Sequence, residues 1–477
     1  MKDSFSHFKL DDKIIKSIKE LGFKNPTPIQ SKVIPHLLLS NQDLIATAQT
    51  GTGKTAAFGL PLLQLTDTNS NKIQNLILCP TRELCLQIGK DLSTYSKYSK
   101  SINILSVYGG AKIDKQIRSL KKGPQIIVGT PGRTKDLIRR KKLFLGNIKR
   151  LVLDESDEML SMGFKDDLEF IIKSASKEKQ ILLFSATMNS KVDAVTKKYM
   201  KNSLKISVAS VNRAAENVDH IFYMVQARDR YEVVKRIADM NPNIYGIVFC
   251  RTRRETKEVA NKLMNDHYNA DTIHGDLNQN ERDDVMRRFR KRQLQILVAT
   301  DVAARGLDVE DLTHVINYNL PDDDEIYVHR SGRTGRAGRN GISIAIIHGR
   351  ENRRIKEIER KSGISFKRQT VPNGLEICKK RLYTLIDKIE RVKVNEDQIE
   401  QFLPYIYDKL SWLDREQLIK HFVSTEFNRY LSYYRDARDI NIESSVSEKV
   451  RRKKPKRRRR KFFGSKKNGK NRRRKYS

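Results

Sequence analysis

The stretch DLIATAQTGTGKTAAFGL (43–60) decides the fold class, because it joins a strand signal, a glycine loop and a helix signal in that order. The apolar run around Leu44 and Ile45 predicts a buried strand, and the apolar stretch from Ala56 predicts a helix. Between them, AQTGTGKT (48–55) has the spacing of a phosphate-binding loop. A strand that leads through such a loop into a helix is typical of a parallel α/β sheet.

The glycine loop predicts a site for the phosphate groups of a nucleotide. Gly51 and Gly53 allow backbone N–H groups to wrap phosphate oxygens, and the following helix adds the positive end of its dipole. Lys54 can reach the terminal phosphates, and Thr55 can ligate Mg²⁺. Ala48 stands where the pattern has Gly, and we expect this small side chain to permit the turn. The predicted nucleotide-binding residues of the loop are Ala48, Gln49, Thr50, Gly51, Thr52, Gly53, Lys54 and Thr55.

Outward from this loop, short apolar runs alternate with polar helical stretches in two parts of the chain. The first series is DLIATAQTG, NLILCPT, INILSVYGG, QIIVGTPG, RLVLDE and QILLFSAT, and the second is IYGIVFCRT, ADTIHGD, LQILVATD, THVINYNL and ISIAIIH. Fully buried strands that alternate with helices predict parallel sheets, and two series predict two similar α/β sheets. The polar segment 205–219 between the series is predicted to contain a linker.

Composition and charge exclude several classes of protein. Of the 477 residues, 94 are Lys or Arg and 57 are Asp or Glu, and the resulting net charge of +37 indicates a polyanionic partner. The apolar content of 38% excludes wholesale disorder. Because the sequence has no membrane-spanning apolar run, no signal segment behind its first charges and no CxxC pair among four cysteines, we expect a cytoplasmic protein with reduced thiols, no membrane association and no structural zinc.

Two acidic residues end one strand of the first series, in RLVLDE (150–155). Taken alone, Asp and Glu at a strand end are most often solvated surface residues. With a phosphate-binding loop upstream, Asp154 is predicted to hold Mg²⁺ through water, and Glu155 to orient and deprotonate an attacking water. The pair therefore favours hydrolysis of a nucleoside triphosphate over binding alone.

The second series contains a basic, glycine-spaced segment, YVHRSGRTGR (327–336). Arg333 and Arg336 can present their planar guanidinium groups to a γ-phosphate, and a solvated basic loop is the alternative. The first series supplies no arginine finger of its own. A finger from the second half of the chain would make hydrolysis depend on closure of the two halves.

These motifs, in this order, resemble the DEAD-box RNA helicases of helicase superfamily 2, and the likeness covers residues 5–340. The matching segments are GFKNPTPIQ (22–30), AQTGTGKT (48–55), PTREL (80–84), GG (109, 110), TPGR (130–133), DESD (154–157), SAT (185–187), VFCRT (248–252), HGDLNQNER (274–282), ATDVAARGLD (299–308) and HRSGRTGR (329–336). The resemblance implies two tandem RecA-like domains that use ATP and Mg²⁺ to separate RNA duplexes locally. An RNA chaperone that anneals RNA with little use of ATP, and a DNA translocase, are the alternatives.

The resemblance also implies roles for individual residues. Gln30 would bind the adenine edge, which makes ATP the expected nucleotide, and Asp308 would bind the ribose. Phe5, or Phe8 in its place, would stack on the base, and a packing role is the alternative for either ring. Contacts to the RNA backbone, which predict little sequence preference, are implied for Thr81, Arg82, Gly110, Thr130, Arg133 and Thr300. A network that links hydrolysis to the lobe interface is implied for Asp157, Ser185, Thr187 and His329.

One position departs from the family pattern. The third residue of the DESD segment is Ser156, where the family has Ala. Because serine is small and can bond to nearby backbone, we expect hydrolysis to survive and only its rate to be affected.

The rest of the chain predicts a helical module and a basic tail. Apolar residues recur at helical spacing from about 370 to 435. This segment resembles the region after the core in bacterial cold-shock helicases of the DeaD type, which implies a homodimer, and a helical layer packed on the second lobe is the alternative. Residues 449–477 contain 18 Lys or Arg and no acid, which predicts a disordered tail that binds RNA phosphates. The predicted domains are a first RecA-like domain (1–207), a linker (208–218), a second RecA-like domain (219–365), the helical module (366–436) and the tail (437–477).

Overall fold

A computed structural model of the chain describes residues 4–48, 51–99, 101–200, 202–208, 217–304, 309, 312–335 and 339–442. The strands are β1 (Asp43–Thr47), β2 (Asn75–Leu78), β3 (Ile104–Val107), β4 (Ile126–Gly129), β5 (Arg150–Leu153), β6 (Gln180–Ser185), β7 (Ser203–Ser207), β8 (Val218–Met224), β9 (Gly246–Phe249), β10 (Ala270–Ile273), β11 (Ile296–Ala299), β12 (His314–Asn317), β13 (Gly341–Ile347) and β14 (Lys367–Gln369).

Helices follow most of the strands. In the first lobe they are α1 (Asp12–Glu20), α2 (Pro28–Leu39), α3 (Lys54–Gln64), α4 (Arg82–Tyr95), α5 (Ile113–Leu120), α6 (Pro131–Arg139), α7 (Ser156–Ser161), α8 (Lys165–Ser174) and α9 (Ser190–Tyr199). In the rest of the chain they are α10 (Arg230–Met240), α11 (Arg253–Asn265), α12 (Gln279–Arg290), α13 (Asp301–Ala304), α14 (Asp324–Ser331), α15 (Asn352–Ser362), α16 (Gly374–Arg391), α17 (Glu396–Ile399), α18 (Leu403–Leu410) and α19 (Arg415–Tyr434). Among these described helices, none has both the length and the apolar character of a membrane span.

The two sheets have the same topology. The first runs β3-β4-β2-β5-β6-β1-β7 and the second β10-β11-β9-β12-β13-β8-β14, and every pairing in both is parallel. If the strands of each lobe are numbered from one, both orders read third, fourth, second, fifth, sixth, first, seventh. The prediction of two tandem RecA-like parallel sheets is therefore confirmed.

Burial on both faces explains why the central strands read as unbroken apolar runs. Along β1, Leu44 and Ala46 belong to the core under one layer of helices, and Ile45 belongs to the core under the other. Successive side chains of a strand point to opposite faces, so both faces need apolar residues when helices cover both. Each fully buried Leu or Ile contributes about 1.5–3 kcal/mol to folding.

Two parts of the structure extend across the predicted domain boundaries. The strand β14 (Lys367–Gln369) pairs with β8, so the second sheet continues past residue 365 into the segment predicted as the helical module. Residues 437–441, which lie in the segment predicted as the tail, belong to the folded part. The Arg438 carbonyl accepts a hydrogen bond from Arg236 (3.0 Å), and the Asn441 side chain accepts one from the Val371 N–H (2.7 Å). Residues 443–477 lie outside the described residues.

The helical module is fixed to the second lobe at its base. Asp239, at the end of α10, is 2% exposed and accepts hydrogen bonds from Arg381 (2.7 Å) on α16 and from the hydroxyl groups of Tyr434 (2.5 Å) on α19 and Tyr268 (2.7 Å) on the lobe. The start of α16 touches the end of α19, since a Cβ on Gly374 would lie 2.6 Å from the Tyr434 carbonyl oxygen. A buried carboxylate with three donors holds these helices in one arrangement.

We expect the second lobe to lose stability as the pH falls from 7 to 5. Burial lowers the pKa of His220 and of His314 to about 4, whereas an unfolded histidine titrates near about 6.5. Protons therefore bind the unfolded chain more readily, and stability is lost as the pH falls through about 6.5 toward 4. At pH 5 each histidine should lower the free energy of unfolding by about 2 kcal/mol, measured by urea unfolding.

The control for this prediction is His314→Gln, because burial is the sole cause of the shift at that position. Glutamine keeps a polar side chain but takes up no proton, so the pH dependence of unfolding should fall by about half. An unchanged pH dependence in His314→Gln would contradict the prediction.

Candidate active site

The glycine loop of the first lobe begins where β1 ends and leads directly into α3. Gly51 and Gly53 have φ angles of 81° and 87°, in the left-handed region that glycine adopts without strain. A Cβ atom on Gly53 would lie 2.4 Å from Nε2 of Gln30, so a larger residue would have to displace the Gln30 side chain. The described part of the loop therefore has the backbone that a phosphate cradle requires.

Lys54, the first residue of α3, is the most unusual group in the site. Its side chain is buried, and its Nζ atom has no hydrogen-bond partner among the described residues. A buried ammonium group without an acceptor is costly, and an anionic ligand relieves that cost. The lysine therefore fits the phosphates of a nucleotide.

Acidic groups crowd the end of β5. Burial raises the pKa of Asp154 to about 6, the charge of Lys54 opposes that rise, and the negative charges of Glu155 and Asp157 add to it. Such crowding favours a bound cation. The described residues contain no cluster of three or more His, Cys, Asp or Glu side chains that could hold a metal. Thr55 and Asp154 could hold Mg²⁺ only together with phosphate and water oxygens.

Glu155 has a strained backbone. Its φ and ψ angles of 49° and 50° are left-handed, although it is not glycine, and α7 begins at the next residue. The N–H of Glu155 donates to Oδ1 of Asp154 at 3.0 Å, which helps to hold the turn. Strain of this kind costs about 1–3 kcal/mol and clusters at functional sites.

The structure brings together three of the predicted coupling residues. Asp157 is buried, and its Oδ2 atom accepts hydrogen bonds from the backbone N–H groups of Ala186 (3.1 Å) and Thr187 (2.9 Å). The Ser185 hydroxyl donates to the Thr187 carbonyl at 2.6 Å. The DESD and SAT segments therefore form one hydrogen-bonded unit at the carboxyl ends of β5 and β6.

Two contacts join this unit to the second lobe. The Thr187 hydroxyl lies 3.0 Å from Oδ2 of Asp157 and 3.2 Å from Oε2 of Glu325, and its single proton can serve one of them at a time. Nδ1 of His329 lies 2.5 Å from Oε1 of Glu158. Both contacts lie on the face where the acidic residues of the first lobe meet α14 of the second.

The charge state of His329 follows from its acidic surroundings. Burial alone would lower the pKa of the imidazole, but the hydrogen bond and charge of Glu158, with the charges of Asp157 and Glu155, outweigh burial and raise it. A protonated His329 donates to Glu158 and forms an ion pair between the lobes. While Glu158 is ionised, this ion pair is present below the pKa of an unfolded histidine and is lost as the pH rises through the raised pKa of His329.

Two arginines of the basic segment in the second lobe, Arg330 and Arg333, have different roles. Arg330 is 3% exposed and makes two bonds to Asp301, from Nε to Oδ1 at 2.5 Å and from Nη2 to Oδ2 at 2.8 Å. This arginine holds the segment in place. Arg333 lines the same small cleft as Glu158 and His329, which places it at the seam between the lobes.

Gln30, predicted to bind the adenine edge, and Phe5, predicted to stack on the base, are both buried in the first lobe. Gln30 donates from Nε2 to the Gly53 carbonyl (3.1 Å) and accepts from the Thr27 N–H (2.8 Å), so it braces the glycine loop and keeps further hydrogen-bonding capacity. The Phe5 ring is 4% exposed, with its centroid 6.0 Å from those of both Phe8 and Phe23. This geometry favours packing for Phe5, and its stacking on a base stays a prediction.

Three of the predicted RNA-contacting residues precede helices at the carboxyl ends of strands. Thr81 is the N-cap of α4, and its hydroxyl accepts from the Leu84 N–H at 3.2 Å. Thr130 is the N-cap of α6, and Thr300 directly precedes α13. Backbone N–H groups at the starts of α4 and α6 are suited to phosphate oxygens.

The two predicted RNA-contacting arginines have protein partners. Arg133 donates to the Ala111 carbonyl (3.2 Å) and to Oε1 of Gln116 (2.9 Å), which braces the loop after Gly110, whose φ is 79°. Arg82 instead reaches the second lobe, where its Nη2 lies 2.9 Å from Oδ2 of Asp283.

Sequence reasoning missed several residues of the seam. The position of Glu158 directly after the DESD segment could have indicated that it belongs to the site. The contacts of Asp283 and Glu325 with the first lobe have no such indication in the sequence, because they depend on how closely the lobes approach. Four predicted site residues lie outside the described residues, namely Gln49, Thr50, Asp308 and Arg336.

Comparisons with known families match this arrangement. Residues 27–195 match the family described as DEAD/DEAH box helicase, and residues 229–338 match the helicase conserved C-terminal domain. Residues 377–435 match the family described as probable ATP-dependent RNA helicase, helical domain. Together the matched segments cover more than half of the chain.

Individual proteins are similar over most of their length. The ATP-dependent RNA helicase CshA of Listeria monocytogenes is 43% identical over 410 residues, which cover 86% of this chain and 78% of that protein. The DEAD-box ATP-dependent RNA helicase CshA of Bacillus subtilis is 40% identical over 400 residues, which cover 84% and 80%. Among solved structures, S. cerevisiae Dbp5 bound to RNA and ADP BeF3 has a TM-score of 0.71 at 31% identity, covering 80% of this chain and 100% of that one.

We expect Ser156→Ala to cost stability and to leave nucleotide hydrolysis in place. Ser156 is 1% exposed, and its hydroxyl donates to the Phe184 carbonyl at 3.2 Å. The pairing of β5 with β6 ends at Leu153 and Leu183, so this bond continues the tie beyond the ladder. Its loss should lower the free energy of unfolding by about 1 kcal/mol, measured by urea unfolding. Steady-state nucleotide turnover should persist, and abolished turnover at unchanged stability would contradict this account.

Proposed function

The chain belongs to the DEAD-box family of ATP-dependent RNA helicases, and on that premise we propose that it separates RNA duplexes locally by closing its two lobes on ATP and RNA. The family makes it an RNA-stimulated ATPase. The observation that carries the proposal is the division of the site between the lobes. The buried ammonium of Lys54, which has no hydrogen-bond partner in the described part of the chain, and the acidic residues belong to one lobe, while His329 and Arg333 belong to the other.

ATP would bind with its phosphates against the glycine loop and Lys54, where the positive helix end and the ammonium supply charge. Mg²⁺, held by Thr55 and Asp154, would neutralise part of the phosphate charge when bound. Glu155 would orient the attacking water and take its proton. Arg333 and Arg336 would reach the γ-phosphate only when the lobes are closed, so hydrolysis requires closure.

RNA would bind along the other edge of the seam through its phosphates. The N-termini of α4 and α6, with Thr81 and Thr130, supply backbone donors, and Thr300 lies at the corresponding edge of the second lobe. Contacts to phosphates carry no base information, so we propose little sequence preference. Closure would bend the bound strand and release its partner, and phosphate release would reopen the lobes.

We expect Glu155→Gln to bind ATP and RNA normally and to hydrolyse ATP about a hundredfold more slowly or worse, because glutamine cannot accept the proton of the attacking water. The measurements are ATPase rates with and without RNA and the binding of a labelled RNA. Lys54→Ala, which removes the buried ammonium, should instead lose ATP-dependent unwinding. Normal turnover in Glu155→Gln would exclude this residue as the base.

The same assay separates the alternative functions. Strong stimulation of the ATPase by RNA belongs to a helicase, whereas an RNA chaperone should bind and anneal RNA with little change in turnover. In a third reaction, DNA of the same sequence replaces RNA. Equal stimulation of the ATPase rate by DNA and RNA would favour a DNA translocase.

We also propose that the helical module joins two copies of the chain. Its far end exposes large apolar side chains that neither lobe covers, namely Tyr383, Ile386, Ile389, Val392, Val394, Phe402, Tyr405, Ile406, Tyr407, Trp412, Leu418, Ile419 and Phe422. Exposed apolar groups in such numbers mark an interaction surface. A second copy presents the same surface and could cover it in a twofold arrangement.

We expect Ile386→Glu combined with Ile419→Glu to convert a dimer into a monomer, because a charge inside an apolar interface is strongly unfavourable. Light scattering of the full chain measures the mass. The control is Leu39→Glu, since Leu39 is an 87% exposed apolar residue at the end of α2 in the first lobe. An unsubstituted protein that scatters as a monomer would rule out the proposed dimer.

A further inference from the structure

An ion pair between Arg82 and Asp283 crosses the seam at the edge where we propose that RNA binds. Arg82, predicted to contact the RNA backbone, places Nη2 2.9 Å from Oδ2 of Asp283 on α12 of the second lobe. The guanidinium lies 5.0 Å from the centre of the Tyr108 ring, which directly precedes the glycine pair of the first lobe. The arginine is therefore held by an aromatic face of its own lobe and a carboxylate of the other.

The carboxylate is itself held in place. The Gln279 side chain, one helical turn before Asp283, donates to Oδ1 of Asp283 at 2.9 Å. A Cβ atom on Gly110 would lie 3.5 Å from Cγ of Gln279, so this glutamine approaches the loop that is predicted to meet RNA. Asp283 thus presents its charge where the proposed RNA groove crosses from one lobe to the other.

The Asp283 carboxylate can occupy the place of an RNA phosphate as the hydrogen-bond acceptor of Arg82. Arginine binds both groups through the same planar N–H donors, and both ligands are anionic. The hydrogen bond to Asp283 is the sole one that the Arg82 side chain makes within the described residues, and its Nε–H is buried without a partner. Arg82 therefore donates to Asp283 from Nη2 and keeps further N–H donors that no described residue uses.

We propose that Asp283 competes with an RNA phosphate for Arg82 and thereby sets the affinity of the closed protein for RNA. This inference rests on the proposed function, because it concerns the same groove. A phosphate that takes the Nη2 donor of Arg82 must displace the Asp283 carboxylate, and the negative charge of Asp283 repels the incoming backbone. Gln279 remains bonded to Asp283 after displacement, so the carboxylate keeps one partner.

The neighbouring Asp284 provides a matched control. It lies on the same helix with similar exposure, 45% against 51% for Asp283, but its partner is Arg287 on that helix. Asp283→Asn and Asp284→Asn therefore remove the same charge from almost the same place. Only the first substitution affects the pair with Arg82.

The experiment measures binding of a fluorescent single-stranded RNA to the full chain with a non-hydrolysable ATP analogue. Asp283→Asn should lower the Kd about two- to fivefold relative to Asp284→Asn, the range expected for a partly exposed ion pair. In an Arg82→Gln background the two variants should bind RNA equally, because the contested arginine is gone. The RNA concentration for half-maximal ATPase should shift in parallel.

Two outcomes would overturn the inference. Equal Kd values for Asp283→Asn and Asp284→Asn would show that the pair does not limit binding, and a raised Kd in Asp283→Asn would assign the pair to holding the lobes together. Either result, with RNA-stimulated ATPase intact in the unsubstituted protein, leaves the proposed function standing. An unsubstituted protein without RNA stimulation would instead reject the proposed function itself.

Discussion

The buried ammonium of Lys54 is the constraint on which the site depends. The chain folds so that β1, the glycine loop and α3 enclose this group, and no described residue offers it an acceptor. Burial, together with the negative charges of Glu155 and Asp157, raises the pKa of Asp154 to about 6, although the charge of Lys54 opposes that rise. The phosphates of a triphosphate would supply acceptors for the Lys54 ammonium, and a divalent cation would offset the acidic charge around Asp154.

Because the two sheets share one topology, the site lies at the seam where the two lobes meet. Parallel sheets present their functional loops at the carboxyl ends of the strands, and two sheets of identical strand order present two such edges. In the structure these edges meet through His329 and Glu158, through Thr187 and Glu325, and through the ion pair at Arg82. Chemistry divided between two bodies can respond to any ligand that changes how they meet.

Much of the fold could be predicted from the sequence, because strands buried on both faces leave unbroken apolar runs. The sequence pattern does not reveal β7, β8 and β14, which lie at or next to the sheet edges. The strands β7 and β8 mix polar with apolar residues, and β14 contains only polar residues. The glycine loop and acids were predictable because they are contiguous in sequence. Asp283 and Glu325 were not, since their roles arise from contacts between distant segments. Arg133 shows a related limit of the sequence. Its motif predicts a contact with RNA, but the motif does not reveal that the guanidinium already donates to the Ala111 carbonyl in the neighbouring loop.

The shared strand order has a consequence for stoichiometry. In the second lobe β8 occupies the place that β1 has in the first, so the segment after β8 corresponds to the glycine loop. That segment reads VQARDR (225–230), with no glycine to adopt a left-handed turn and no lysine at the start of α10. Of two halves with the same strand order, the first has at this place the glycines and the lysine that fit a triphosphate, and the second does not. On the proposed function, we therefore expect each polypeptide to bind one nucleotide per cycle.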